Sequence, residues 1–142
     1  RSDVGGVAVT HLLDTHAWIQ GALGEPLPPM VDQTLRRHAA GLAIADISLW
    51  EAAKLVEMGR LELSIPLAEF YRLAITSDLQ VLPVTPVIAE RATTLEASGF
   101  HKDPADQLIV ATALVHGLRL VSDDARIRRW GGVPMVWRTA RG

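Results

Sequence analysis

Val7-Ala8-Val9-Thr10-His11-Leu12-Leu13-Asp14-Thr15-His16 is a short apolar run, partly β-branched, that stops on an acid and leads into a helical pattern. A run of this length reads as a strand buried on both faces, here residues 7–13. Residues 118–124, Leu-Arg-Leu-Val-Ser-Asp-Asp, repeat the arrangement late in the chain. Residues 42–45, 79–84 and 133–137 are further strand candidates, and 61–63 a short extended piece. Between them, helices are expected over 15–23, 30–40, 48–58, 66–77, 86–98, 103–116 and 124–130. Gly24, Gly41, Gly59, Gly99 and Gly117 sit at their ends, and Pro86 and Pro104 sit at first helical positions. Strands alternating with helices call for a mainly parallel sheet covered on both faces, an α/β domain in three layers.

That architecture gives meaning to four acids. Asp14 ends the first strand and Asp124 follows the 118–121 strand, while Glu51 and Asp106 lie near helix starts. In an open parallel sheet, residues that end strands or begin the next helices share one rim, where ligands bind. Carboxylates gathered there repel one another, so some take up protons unless a cation neutralises them. Mg²⁺ or Mn²⁺ is the simplest such cation, and beside a strand switch point it suggests phosphodiester chemistry.

Each acid also has a purely structural reading. Asp14 can cap the helix after it. Ser48 and Glu51 fit the capping-box pattern, although Trp50 and its apolar neighbours suggest a largely buried helix start in which Glu51 needs a partner, a metal or Lys54. Asp103 is the natural N-cap ahead of Pro104, and Asp106, three residues on, lies on the same side and favours the helix dipole. Asp106 is therefore the better metal ligand and Asp103 a cap or support. Of Asp123 and Asp124 only one is expected to face the metal, and Asp124 is favoured, with Ser122 placed to orient a carboxylate or a bound water. His16 is either a surface residue or a substrate contact, and His11 reads as polar filler inside the first strand. The four tryptophans read as core or partner-surface residues.

Bulk properties narrow the classes. At 142 residues, 49% hydrophobic and 21% charged, the chain suits one globular domain rather than a disordered segment. Residues 1–6 are expected to be a tag or cloning remnant, leaving 7–142 as the domain. No apolar stretch reaches membrane-spanning length, so no membrane association is expected. Without cysteine there are no disulfides or thiolate metal sites, which fits a reducing cytoplasm. The histidines show no zinc-binding spacing on one helix. The net charge of −2 gives no global attraction to nucleic acid. Locally, however, Arg119, Arg126, Arg128, Arg129, Arg138 and Arg141 face only Asp123 and Asp124 in the last segment. A basic edge beside an acidic pocket would draw in a polyanion, with Arg126, Arg128 and Arg129 on its phosphates; the alternative is a solvated charge cluster.

The segments Leu12-Leu13-Asp14-Thr15-His16, Ser48-Leu49-Trp50-Glu51, residues 101–113 from His101 through Asp106 to Ala113, and Leu120-Val121-Ser122-x-Asp124 together resemble the PIN-domain nucleases. More narrowly they resemble the VapC-type toxins of bacterial toxin–antitoxin pairs, in the same order over almost the whole domain. The resemblance implies a three-layer α/β/α fold with sheet order 3-2-1-4-5 and a Mg²⁺- or Mn²⁺-dependent endoribonuclease that limits translation or growth. It carries the catalytic acids onto Asp14, Glu51, Asp106 and Asp124, with Asp14, Asp106 and Asp124 on the metal. Thr15, His16, Asp103 and Ser122 are supporting residues; at position 122 the family more often has threonine. RNA as substrate, a cognate antitoxin whose tail fills the groove, and a homodimer or toxin–antitoxin hetero-oligomer follow from the same resemblance.

Two other classes compete. In one, the acids are caps and the chain is a catalytically weak interaction module that mainly binds a partner protein. In the other, a phosphotransferase of the haloacid-dehalogenase type, a second Asp is needed two residues after the first, where His16 stands. A dinucleotide-binding enzyme lacks its Gly-x-Gly-x-x-Gly after the first strand.

Overall fold

A computed structural model describes residues 3, 4 and 7–137. Five short strands, β1 (His11–Leu13), β2 (Leu42–Ala45), β3 (Gln80–Leu82), β4 (Arg119–Val121) and β5 (Met135–Val136), pair in parallel in the order β3-β2-β1-β4-β5. The expected order 3-2-1-4-5 is the observed one. Because β1 lies between β2 and β4, the chain reverses direction across the sheet at the β1–β4 boundary. Their carboxyl ends form the rim where Asp14 and Asp124 emerge.

Seven helices connect and cover the strands among the described residues: α1 (Thr15–Ala22), α2 (Pro29–Arg37), α3 (Ile47–Glu57), α4 (Leu67–Ala74), α5 (Pro86–Thr94), α6 (Pro104–His116) and α7 (Ala125–Trp130). Alternation along the strands divides the core in two. Leu12, Ala43, Ala45, Leu82 and Leu120 pack with Ile109, Val110 and Ala113 of α6 and Ile127 of α7. Leu13, Ile44 and Val121 point the other way, against Trp18 of α1, Val31 of α2, Ala52 of α3 and Phe70 of α4. Polar ties fix the second layer: Trp18 Nε1 donates to the Ala74 carbonyl at 3.0 Å, and the Tyr71 hydroxyl to the Leu49 carbonyl at 2.5 Å. Among the described residues, no helix is long and apolar enough to cross a membrane.

Some expectations are corrected. The first strand does not begin at Val7: Val7–Ala8 pairs antiparallel with Asp3–Val4, and the parallel ladder starts at His11. The partner strand explains this, because the residues before Leu42 are wound into a 3-10 turn, Ala39–Gly41. The two chains also approach closely there. A Cβ on Gly41 would meet Thr10 Oγ1 at 2.8 Å and the Ala8 carbonyl at 3.1 Å. Residues 61–63 form no strand; Leu61 and Leu63 pack against the second core instead. Arg138, Arg141 and residues 1, 2, 5 and 6 lie outside the described residues.

Ile44 is fully buried at the centre of the second core. Ile44→Ala is expected to lower unfolding free energy by about 2–4 kcal/mol in urea titration, the range for an unrelaxed core cavity. A loss below about 1 kcal/mol would contradict this packing.

Candidate active site

The sheet delivers its acids to one rim by ordinary helix starts. Asp14 leaves β1 with its N–H on the Val121 carbonyl of β4 at 3.0 Å, and its Oδ1 accepts from Ala17 N at 2.8 Å, capping α1. Asp124 caps α7, Oδ1 accepting from Arg126 N at 2.7 Å and Ile127 N at 3.1 Å. Asp103 caps α6 through Ala105 N at 3.0 Å and Asp106 N at 3.2 Å. Capping thus engages only Oδ1 of Asp14 and Asp124, and the second oxygen of each carboxylate remains for other work.

Glu51 departs from its expected local setting. The capping box does not form, because α3 begins at Ile47 and Ser48 lies inside its first turn, fully buried. Asp46 N already pairs with the Leu82 carbonyl at 2.9 Å, so the chain turns directly from β2 into the helix. Ser48 Oγ instead meets Thr15 Oγ1 at 2.8 Å, and the Thr15 hydroxyl donates to Glu51 Oε1 in a very short hydrogen bond. Trp50 is 56% exposed, not buried, and Lys54 pairs with Glu57 rather than Glu51. A helix start that looked apolar in sequence is amphipathic, with Ser48 and Ala52 inward and Trp50 outward.

Asp14, Glu51, Asp103, Asp106, Asp123 and Asp124 line one cleft of about 590 Å³ with His16 and Arg126. Burial raises the Asp14 pKa above the ordinary carboxylate range; the Ser122 hydroxyl, the Ala17 amide and His16 oppose this, while Asp106 adds to it. Burial likewise raises Glu51, against the Thr15 hydroxyl and with help from Asp106 and Asp103. Asp106 is raised by burial and by the charges of Asp103 and Asp124, against its bond to His101. Asp124 alone goes down: burial pushes it up, but the Arg126 side chain and the α7 amides outweigh that. Asp106 is coupled to each of the other three acids, and the cleft is lined by more acidic than basic side chains.

Two basic side chains contact these acids directly. His101 Nε2 lies 2.7 Å from Asp106 Oδ2, and Arg126 Nη2 lies 3.2 Å from both Asp106 Oδ2 and Asp124 Oδ2. Ligand atoms of His101, Asp106 and Asp124 all fall within 4.8 Å of one another, close enough for one cation to reach all three. His101 was missed as a site residue. Its signal was its place two residues before the Asp103 cap, where the chain folds back over the helix start and the ring stacks on Phe100 at 4.3 Å. Arg126, expected on RNA phosphate, is directed at the acids. Arg128 pairs with Asp123 at 3.5 Å, and Arg129 is exposed on α7. Ser122 Oγ accepts from Asp124 N at 3.1 Å and faces Asp14, joining the two strand-end acids. His16 is exposed at the rim.

Residues 11–133 match the PIN domain family. Over 120 residues the chain is 40% identical to Ribonuclease VapC22 of Mycobacterium tuberculosis, covering 84% of this chain and 90% of that protein. Among solved structures, a chain of DNA-bound VapBC from Salmonella typhimurium superposes with a TM-score of 0.69 at 21% identity, over 90% of this chain and 97% of that one. A chain of VapBC2 from Rickettsia felis, bound to a DNA fragment from the promoter, gives 0.66 at 18% identity, over 92% and 100%.

Asparagine caps helices as well as aspartate, so Asp14→Asn removes a buried charge and keeps the cap. The raised Asp14 pKa means the folded state holds its proton more tightly than the unfolded chain does. Its ionisation therefore costs stability as pH rises from the ordinary value through the folded one. In EDTA the variant is expected to match the parent at acid pH, below the ordinary carboxylate range, and to be the more stable of the two near neutral pH. Comparing the two proteins at each pH cancels His11, whose burial, with His38 and Arg119 nearby, lowers it to about 4. Urea titration checks this, and a variant less stable at neutral pH would contradict it.

Proposed function

This chain belongs to the PIN-domain family, and we propose that it is a Mg²⁺- or Mn²⁺-dependent endoribonuclease, the toxin of a toxin–antitoxin pair that limits translation or growth. The observation that carries the reading is the division of labour within the carboxylates. Asp14 and Asp124 cap helices with Oδ1 alone, and Asp106 caps nothing, so each has an oxygen that capping does not use and that can serve as a donor to a cation. All-oxygen donors with at most one imidazole suit a hard divalent ion.

In this reading Asp14, Asp106 and Asp124 hold the ion, and Glu51 holds it directly or through a water. A divalent ion bound there supplies Lewis acidity toward water and the scissile phosphate. The chain's own residues do the rest. Thr15 and Ser48 fix the Glu51 carboxylate, Ser122 aligns Asp14, and Asp103 sets the α6 start so that Asp106 faces the cleft. His101 fixes one oxygen of Asp106. His16 stands at the rim for substrate contact, and Arg128 and Arg129 on α7 engage flanking phosphates, positioning rather than reading the RNA.

A cognate antitoxin is the proposed protein partner, within a homodimer or a toxin–antitoxin hetero-oligomer. Support comes from a groove of about 820 Å³ beside the cleft, lined by Trp50, Lys54, Met58 and Leu108. Trp50 and Met58 are both more than half exposed on it. The competing interaction-module reading draws on one real observation, that Asp14, Asp103 and Asp124 are all caps. Glu51 and Asp106 cap nothing and have raised pKa values beside other acids, which a purely structural role does not require.

Asp106→Asn is expected to reduce cleavage of total RNA by roughly 100-fold or more, and EDTA to abolish it in the parent. Undiminished cleavage in either case would contradict the proposal.

A further inference from the structure

The guanidinium of Arg126 lies where a cation would sit. We propose that it is a tethered counter-ion, filling the cation position of the metal-free cleft and leaving when a divalent ion enters. The inference rests on the metal-site reading above and adds a residue that sets how readily the metal binds.

Three observations support it. First, Arg126 contacts Asp106 Oδ2 and Asp124 Oδ2, the oxygens that the capping bonds leave open. Ion and guanidinium therefore compete for the same atoms. Second, the contacts are loose. Both are 3.2 Å, against 2.7 Å for His101 on the same oxygen, and strong charge-assisted bonds run about 2.7–2.9 Å. The Arg126 side chain is also 51% exposed, so it can swing into water without crossing a packed core. Third, its place on the helix does not explain its position. Arg126 is the second residue of α7, where the positive end of the helix dipole disfavours a cation. Among the described residues, only the acids hold it there.

A consequence follows for affinity and for the empty protein. The work of moving Arg126 out is subtracted from the metal's binding energy, which raises the metal concentration at which the cleft fills. In exchange, the metal-free cleft is partly neutralised, and the acids stay together without an ion.

Calorimetric titration with MnCl₂ compares the parent with Arg126→Gln, Arg126→Lys and, as a control for lost charge elsewhere, Arg36→Gln. Arg36 pairs with Asp32 on α2, outside the cleft. Arg126→Gln is expected to bind Mn²⁺ about 3- to 10-fold tighter, as an exposed ion pair permits, with Arg126→Lys in between and Arg36→Gln unchanged. In EDTA, Arg126→Gln is expected to melt below the parent, with the gap closing at saturating Mn²⁺. Equal or weaker Mn²⁺ binding by Arg126→Gln would overturn the inference and leave the metal site standing. No binding by any protein would overturn the metal reading and this inference with it. The parent alone gives a check that needs no variant: Mg²⁺ titration followed by arginine side-chain NMR is expected to shift the Arg126 Nε–H signal. A signal unmoved at saturating Mg²⁺ would overturn the inference.

Discussion

Mutual repulsion among desolvated carboxylates is the constraint on which this structure turns. Asp14, Glu51 and Asp106 are each pushed above the ordinary carboxylate range by burial, and Asp106 raises both of the others. A cleft built this way is tolerable only with protons, an internal cation or a bound ion. Arg126 is such an internal cation, lying across two of the acids, and His101 is hydrogen-bonded to one of them.

The fold makes the crowding unavoidable. With β1 between β2 and β4, the segments after β1 and β4 must emerge side by side, and each starts a helix with an aspartate. α3 and α6 are packed against each other, which brings Glu51 and Asp106 to the same opening. Helix capping and ligand binding are not rival explanations here. A carboxylate has two oxygens, and where one satisfies backbone N–H groups the other is aimed by that same bond. The caps position the site, so loss of a cap would disturb both stability and the chemistry proposed for it.

Much of this was legible from particular residues. The 42–45 strand, Pro104 after Asp103, Pro86 after Thr85 and Gly117 at φ +67° behind α6 all appear where turn and cap chemistry put them. Strand-end placement of Asp14 and Asp124 follows from the apolar runs ahead of them. Other features depend on tertiary neighbours. Ser48 matches a capping motif, but β2 hands the chain to α3 early and the hydroxyl serves Thr15 instead. Trp50 looked buried because its neighbours are apolar, yet it faces outward. The roles of His101 and Arg126 arise from side chains folding back across helix starts, a geometry that spacing alone does not encode.

The most direct test of the central claim is a crystal of the metal-free protein soaked in MnCl₂, with anomalous diffraction collected at the manganese edge. The account predicts a peak at about 2.0–2.3 Å from carboxylate oxygens of Asp106 and Asp124, with the Arg126 guanidinium displaced toward solvent. A structure from saturating Mn²⁺ with no peak in the cleft and Arg126 still bridging the two acids would contradict it.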